Sequence, residues 1–395
     1  MALLQGPRIL ILLMLISFPA VSAVLFTPAL PQLAHYFGVT DSVAGITMSI
    51  FLVGYSIGQL PYAPIANRYG RKKTIYIGLS LSLVGTLLCW FAPTIGWLIV
   101  GRFLQSLGSA VGLQITFTMI GDCHVGAQAT KAISFIMLAF AIAPGLGVAV
   151  GGFLTDSFGW KSCFVFLTVY TFLLALLCLS LPETAPRFDK EALRLSKIGR
   201  EYARQFSNPS LILHGLFVGL GTSLIYVFAT EAPHIAISRI GLSPSLYGLL
   251  NLIPLTGLAL GQLIASRFAG IVSVRRSMLL GISILTLGML MMLIPFSFGF
   301  VLSWALFASQ AIVMVGNSWM FSNASSEGLS TSTDKAHGAA VLQFINMSFA
   351  AFSTYFVSSW LPQTALALPL VYLVIVLLLI ILWLMLKKHH SASAK

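Results

Sequence analysis

The chain alternates long apolar runs with short polar connections along its whole length. Each run holds about twenty residues, the length that an α-helix needs to cross about 30 Å of hydrocarbon. The strict alternation of apolar and polar positions typical of membrane β-strands is absent, so the pattern predicts an all-α membrane protein. Twelve transmembrane helices are predicted, at residues 8–27, 43–64, 74–92, 97–120, 132–154, 162–181, 209–231, 244–266, 276–295, 300–322, 337–360 and 365–386.

One polar connection is longer than the others and rich in basic residues. It divides the chain into a predicted N-terminal six-helix bundle (1–181), a cytoplasmic basic linker (182–208) and a C-terminal six-helix bundle (209–395). Two interpretations of the linker stay open. It is a solvated charged connection, or Leu193, Ile198 and Tyr202 give it a short amphipathic helix on the inner membrane surface.

The two predicted halves repeat a short sequence. Residues 65–69 read Ile-Ala-Asn-Arg-Tyr, residues 264–268 read Ile-Ala-Ser-Arg-Phe, and basic residues follow both segments. Each segment follows the second predicted helix of its half. Parallel repeats related by an axis along the membrane normal place a transport site at the repeat interface, so we expect two pseudo-symmetric bundles.

Composition and charge agree with a membrane protein. Apolar residues make up 58% of the chain and charged residues only 8%, too few for a water-soluble surface. The net charge of +12 does not indicate nucleic acid, because the basic residues cluster in alternate short connections. That bias predicts that both termini lie in the cytoplasm. The four cysteines form no CxxC pair and predict neither a disulfide framework nor a metal site.

The N-terminus resembles a secretory signal, since Arg8 precedes an apolar run that ends near Ala23. The run continues through Phe26, and cleavage would leave an odd number of predicted helices. We therefore expect this segment to be the first transmembrane helix.

Three motifs carry a family resemblance. Residues 63–72 read Ala-Pro-Ile-Ala-Asn-Arg-Tyr-Gly-Arg-Lys, residues 102–108 read Arg-Phe-Leu-Gln-Ser-Leu-Gly, and residues 143–147 read Ala-Pro-Gly-Leu-Gly. In this order, the motifs resemble the Major Facilitator Superfamily, and within it the twelve-helix drug:proton antiporter branch typified by bicyclomycin-resistance exporters. The resemblance covers nearly the whole chain and implies alternating access by two six-helix bundles.

The first motif implies a conformational latch at Asn67, Arg68, Gly70 and Arg71. The family has Asp where this chain has Asn67. Because Asn supplies no charge, the resemblance implies a weaker latch between the halves.

The second motif implies that Arg102 shapes the proton and substrate path. Arg102 shares one predicted helical stripe with Gln105 and Thr116. The alternative is an interfacial Arg that extends outward from near the helix start. The third motif implies close helix packing at Pro144, Gly145 and Gly147, where small residues let helices approach.

Proton coupling requires a group that changes charge within the membrane, and carboxylates are the usual carriers. Many relatives carry an acid in the first helix, where this chain reads Ala23-Val24-Leu25. Glu231 is the first candidate and Asp122 the second, although an interfacial Glu231 in contact with water is equally open. The remaining carboxylates considered are predicted to lie in loops: Asp41, Asp156, Asp189, Glu191, Glu201, Glu327 and Asp334.

Polar and aromatic side chains on the predicted helices are candidates to bind substrate, although such groups also hold helices together. The candidates are Tyr55, Gln59, Gln105, Gln114, Tyr226, Asn251, Gln310, Asn317, Gln343 and Asn346.

The resemblance implies a monomeric, proton-coupled exporter of lipophilic or amphiphilic small molecules in the bacterial inner membrane. Its partners are the substrate, protons and membrane lipids. Alternatives are a dedicated metabolite or siderophore exporter, an uptake carrier, and a non-transporting sensor or scaffold. An enzyme is not predicted, because no P-loop, HExxH or Gly-x-Ser-x-Gly motif is present, and no cofactor is expected.

Overall fold

The computed structural model of the protein describes residues 7–123, 127–268, 271–332, 335–360 and 364–393, and it is built from α-helices. The first ten helices are α1 (Pro7–Val24), α2 (Leu30–Phe37), α3 (Asp41–Gly58), α4 (Tyr62–Tyr69), α5 (Arg71–Trp90), α6 (Ile95–Ser109), α7 (Val111–Cys123), α8 (Ala127–Phe158), α9 (Lys161–Leu177) and α10 (Leu195–Phe206). The remaining seven are α11 (Pro209–Pro233), α12 (Pro244–Leu250), α13 (Leu252–Phe268), α14 (Val274–Ser297), α15 (Ser303–Ser330), α16 (Lys335–Trp360) and α17 (Ala367–Ser393).

The helices form a multi-pass membrane protein. Within the described residues, 11 segments are long and apolar enough to cross a bilayer. They match 11 of the twelve predicted spans. The predicted span 300–322 corresponds to α15, which has 28 residues and is about 42 Å long at 1.5 Å per residue. Serine and asparagine residues make α15 less apolar than the other spans.

Several predicted spans are bent, which the apolar pattern did not indicate. The first span ends as α1 at Val24, turns at residues 27–29 and continues as α2. Pro28 has no N–H to donate to the Val24 carbonyl, and the hydroxyl of Thr27 donates to that oxygen instead, at 2.8 Å. The predicted spans 97–120 and 244–266 are each two helices. A bend leaves the number of apolar residues unchanged, so the pattern predicts only the span.

Helix contacts join both parts of the chain. In the first part, α6 packs on α3 and α5, and α8 packs on α1. In the second part, α15 packs on α13 and α14, and α16 packs on α11. The most extensive contacts between the parts join α3 with α16 and α8 with α12. These crossings lie next to the candidate site.

Close packing around α8 depends on Gly151 more than on Gly145 or Gly147. A Cβ atom on Gly147 would lie 3.6 Å from α1, an ordinary contact, and one on Gly145 would meet only the flexible side chain of Leu255. On Gly151 it would collide with the Leu25 carbonyl, which is backbone. The sequence does not distinguish these glycines, because all three are small residues within the predicted span 132–154.

We expect Gly151→Ala to destabilise the protein by about 1–3 kcal/mol, because α1 must move away from α8. Thermal unfolding of the purified protein in detergent measures this effect. Gly121→Ala is the matched control, because no described atom lies within 4 Å of a Cβ atom there. It should be neutral or slightly stabilising. Equal unfolding temperatures for the two variants would contradict the packing account.

Candidate functional site

Arg102 lies at the centre of the first part of the chain and is fully buried, with 0% exposure. Its Nη1 donates to the Ser22 carbonyl at 2.8 Å and to the side-chain oxygen of Gln105. Its Nη2 donates to the Ala23 carbonyl at 3.0 Å, and its Nε contacts the Thr47 carbonyl at 3.4 Å. The guanidinium therefore joins α1, α3 and α6. The alternative of an Arg that extends outward to the membrane interface is wrong.

The bend in α1 explains why Arg102 finds acceptors there. Where a helix ends, its last carbonyls lack intrahelical donors. The carbonyls of Ser22 and Ala23 lie at the end of α1 and accept from Arg102. The rings of Phe26 and Phe51 lie 4.1 Å and 4.2 Å from the guanidinium carbon. Helix-end carbonyls and aromatic faces thus stabilise the buried cation.

An ionic cluster forms around Arg71, at the start of α5. Arg71 binds both carboxylate oxygens of Asp122, at 2.9 Å and 3.2 Å, and these side chains are 7% and 12% exposed. Arg71 also donates to the side-chain oxygen of Asn67 at 3.1 Å. Thus Asn67, Arg71 and Asp122 come together as one cluster within the first part of the chain. Arg68 lies beside them, with its guanidinium 5.9 Å from the Tyr69 ring.

Glu183 completes this cluster, and sequence reasoning missed it. Its oxygens accept the backbone N–H groups of Arg71 at 2.9 Å and Lys72 at 3.1 Å, so it caps the start of α5. Gly70, with φ of 94°, makes room, because a Cβ atom there would lie 2.5 Å from a Glu183 oxygen. The available signal was a carboxylate directly after the sixth apolar run, opposite a basic helix start.

Hydrogen bonds to Glu183 predict a pH dependence. Partial burial raises the pKa of this carboxyl, but four backbone N–H groups donate to it, and the net pKa lies below the ordinary value of 4.5. A group with a lowered folded-state pKa contributes stability above the unfolded pKa and loses it as pH falls through the folded pKa.

Glu183→Gln should therefore lower the unfolding temperature at neutral pH, and the difference from the parent should shrink as pH falls below the ordinary carboxyl range. Thermal unfolding at several pH values measures this. Glu191→Gln is a matched linker control and should show no such convergence. A parent–variant difference that is constant with pH would contradict the capping role.

The linker holds the helix α10, which contacts both parts of the chain. The Tyr202 hydroxyl donates to the Leu60 carbonyl at 2.9 Å, and the Tyr202 ring packs edge-on against His337 at 5.3 Å. The Ser332 hydroxyl donates to Gln205 at 2.7 Å. One face of α10 is thus buried against the ends of other helices. At this end of the molecule, the linker helix α10 therefore connects the first part of the chain to the second.

Glu231 lies at the other end, in a cavity of about 270 Å³ between the two parts of the chain. Asp41 contributes from α3, and His234, Arg239 and Ser358 contribute from the second part. The His234 ring nitrogen Nδ1 lies 3.3 Å from an Asp41 carboxylate oxygen. No hydrogen bond or ion pair joins the Glu231 carboxylate to another residue in the part of the chain that the structure describes. Glu231 is therefore a cavity carboxylate beside an Asp–His pair.

The candidate substrate residues fall into two groups. Gln310 is engaged in packing, because the Tyr372 hydroxyl donates to it at 2.8 Å, and Asn317 contacts Gly221 of α11. Gln114 is half-buried in α7, and Asn251 lies at the α12–α13 break.

The other group lies along the contact of α3 with α16. Tyr55 and Gln59 are buried on α3, and Tyr226 of α11 lies near Tyr55. Asn346 donates to Gln343 at 2.8 Å on α16. The contact itself includes a 2.8 Å hydrogen bond between Ser56 and Ser348. We call the polar residues around this contact the central cluster. They are Tyr55, Gln59, Tyr226, Gln343 and Asn346.

Four carboxylates that were predicted to lie in loops lie in helices. Asp41 begins α3, and Asp156, Glu201 and Glu327 lie within α8, α10 and α15. These helices extend beyond their apolar segments, so the apolar pattern placed their ends too early. Asp334 lies outside the described residues.

Comparison with known proteins identifies the family to which the chain belongs. A family model described as "Major Facilitator Superfamily" matches residues 10–236. A solved structure of the xylose transporter XylE from E. coli has the same fold, with a TM-score of 0.77 over 97% of both chains, at 13% sequence identity.

Two curated relatives are similar in sequence. An uncharacterized transporter of Rickettsia bellii is 30% identical over 60% of this chain, and the chain spans only 58% of that relative's length. Multidrug resistance protein D of Escherichia coli is 27% identical over 80% of this chain and 79% of the relative. Both are named as transport or resistance proteins.

Proposed function

Since the chain belongs to the Major Facilitator Superfamily, we propose that it exports lipophilic or amphiphilic small molecules in exchange for protons, by alternating access. The observation that carries this proposal is Glu231, a carboxylate in a cavity between the two parts of the chain that has no hydrogen bond or ion pair with the described residues. A similar relative, Multidrug resistance protein D, supports export of foreign compounds.

The proposed architecture is two matched bundles of six spans, 1–181 and 209–395, with α15 as the twelfth span. Repeated packing supports it. Gly78 and Gly85 of α5 lie seven apart and admit the backbone of α6. Gly281 and Gly288 of α14 have the same spacing and admit the backbone of α15. The α5–α6 and α14–α15 pairs are thus built alike, as parallel repeats require.

Glu231 is the proposed proton carrier. A carboxylate inside a membrane protein is costly when charged, so it gains a proton readily when its surroundings are dry and loses it when water or a cation approaches. The cavity holds Glu231 near His234 and Arg239. Rocking of one bundle against the other would change the exposure of this carboxylate, which is the requirement for coupling.

The other candidate residues receive supporting roles. The central cluster is the proposed substrate contact, because its side chains lie where the two bundles meet. Arg102 holds the bend of α1 beside that contact and so shapes the path. The cluster of Asn67, Arg68, Gly70, Arg71 and Asp122 is proposed as the conformational latch, and Asp122 is a less favoured proton carrier because Arg71 already pairs with it.

The basic residues in alternate connections support the proposed orientation. The Asp122 end and the linker face the cytoplasm of a bacterial inner membrane, with both termini inside, and the Glu231 end faces outward. The protein is proposed to act as a monomer. Pro144 lies within α8 and, with Gly145 and Gly147, is proposed to let this span bend during the change of access.

Transport into inside-out vesicles tests the proposal. We expect the neutral probe N-phenyl-1-naphthylamine to accumulate when the lumen is acidic, and the accumulation to vanish when nigericin collapses the pH gradient. Accumulation that ignores the gradient would exclude proton coupling. Movement of the probe out of an acidic lumen would instead indicate an uptake carrier.

A further inference from the structure

Among the described residues, Arg102 is a buried cation without a carboxylate partner. Arg102 is fully buried, and each of its acceptors is uncharged: three backbone carbonyls and the amide of Gln105. An Arg guanidinium keeps its proton in proteins. Carbonyl dipoles stabilise this ion, but they leave its net positive charge uncancelled.

The carboxylates that the structure describes lie away from Arg102. Asp41 begins α3, and Asp122, Asp156, Glu231 and Glu327 lie near the ends of α7, α8, α11 and α15. The rest of the described carboxylates belong to residues 183–201. Asp122 is already paired with Arg71. Among the described residues, the middle of the membrane therefore carries a positive charge without a carboxylate to balance it.

The positive charge lies close to the central cluster. Phe51 stands between them, with its ring 4.2 Å from the guanidinium carbon of Arg102 and 6.5 Å from the Tyr55 ring. Like charges on the order of 10 Å apart, in an effective dielectric of about 20, repel enough to weaken binding on the order of tenfold. An organic cation bound beside Tyr55 would meet this repulsion.

The central cluster itself offers uncharged hydrogen-bonding groups. The side-chain oxygens of Gln59 and Asn346, which are 0% and 1% exposed, have no donor among the described residues. Each lies within one helical turn of the Ser56–Ser348 contact between the two parts of the chain. Gln59 Nε2 and the Tyr55 hydroxyl also have no partner among the described residues, so the cluster offers both donors and acceptors to an uncharged polar ligand.

We propose that the central cluster binds neutral or anionic organic molecules, and that Arg102 excludes organic cations from it. This inference rests on the proposed function, because it names the substrate class of the same site. It adds a selectivity against organic cations, which transport by itself does not require.

Gln105 provides a minimal way to change the charge. Its side-chain oxygen accepts from Arg102, and its Nε2 donates to the Thr86 hydroxyl at 2.9 Å. Gln105→Glu has nearly the same shape and places a carboxylate against the guanidinium. The Thr86 hydroxyl, which donates to the Ser82 carbonyl at 2.8 Å, is able to turn and donate to the new oxygen. Gln105→Met removes the contact without adding charge.

Tetraphenylphosphonium and tetraphenylborate form a pair of matched shape and opposite charge for the test. Their dissociation constants are measured by equilibrium dialysis with the purified protein in zwitterionic nanodiscs, after subtraction of binding to empty discs. In the parent, the borate should bind at least about tenfold more tightly than the phosphonium. Gln105→Glu should reduce that ratio about tenfold, and Gln105→Met should leave it unchanged.

Two results would overturn the inference: a parent that binds the phosphonium as tightly as the borate or binds neither ion, and a ratio that Gln105→Glu does not change. The comparison of ratios cancels differences in how the two ions partition into lipid. If the ratios behave as expected but vesicle transport ignores the pH gradient, the charge rule holds and the proposed antiport fails. The two failures are thus distinguishable.

Discussion

Replacing Glu231 with Gln should reduce transport driven by an imposed pH gradient to the level of protein-free vesicles. Gln has the size and hydrogen-bonding capacity of a protonated Glu but cannot release a proton, so the variant should bind substrate without coupling it to proton flow. The measurement is accumulation of N-phenyl-1-naphthylamine in inside-out vesicles with an acidic lumen.

Two controls make the Glu231 experiment specific. Glu231→Asp keeps a carboxylate in the cavity and should retain part of the gradient response. Glu201→Gln removes a carboxylate from α10, far along the chain from the cavity, and should respond like the parent. A Glu231→Gln variant that responds fully to the gradient would show that another group carries the proton.

Replacing Arg102 with Ala should destabilise the protein by about 3–5 kcal/mol, a large part of the stability of a typical domain. The change leaves the carbonyls of Ser22 and Ala23 without donors and opens a space between Phe26 and Phe51. Unfolding in detergent, followed by circular dichroism, measures the loss.

Arg102→Lys is the matched variant for this prediction. It restores the charge but offers one ammonium group where the guanidinium contacts four acceptors, so its stability should fall between those of the parent and Arg102→Ala. Unfolding temperatures for the parent and Arg102→Ala that agree within error would contradict the role of Arg102 as the joint between α1, α3 and α6.

Much of the fold follows from the apolar pattern, because span length is set by bilayer thickness. The spans that became α5, α14 and α16 were predicted to within a few residues. The bends were not predicted. The first predicted span stops at residue 27, within the turn itself, and its continuation as α2 was not predicted. The helix ends at Asp41 and Glu327 extend past the apolar segments, and hydrophobicity carries no signal there.

The candidate site was predicted less completely, because its contacts join residues far apart in the chain. Arg102 was identified from its motif, but its acceptors at Ser22 and Ala23 depend on the bend of α1. Glu183 was missed since its role depends on Gly70 and on the start of α5, more than a hundred residues earlier. The sequence shows that such residues are charged, but the fold determines which residues they contact.

Substrate-induced proton movement tests the central claim most directly. The pH dye pyranine is sealed inside proteoliposomes, and N-phenyl-1-naphthylamine, which carries no proton at neutral pH, is added outside. Exchange of substrate for protons predicts that the lumen becomes alkaline as the probe enters, in whichever orientation the protein is inserted. Entry of the probe with no change in luminal pH, or with acidification, would contradict proton antiport.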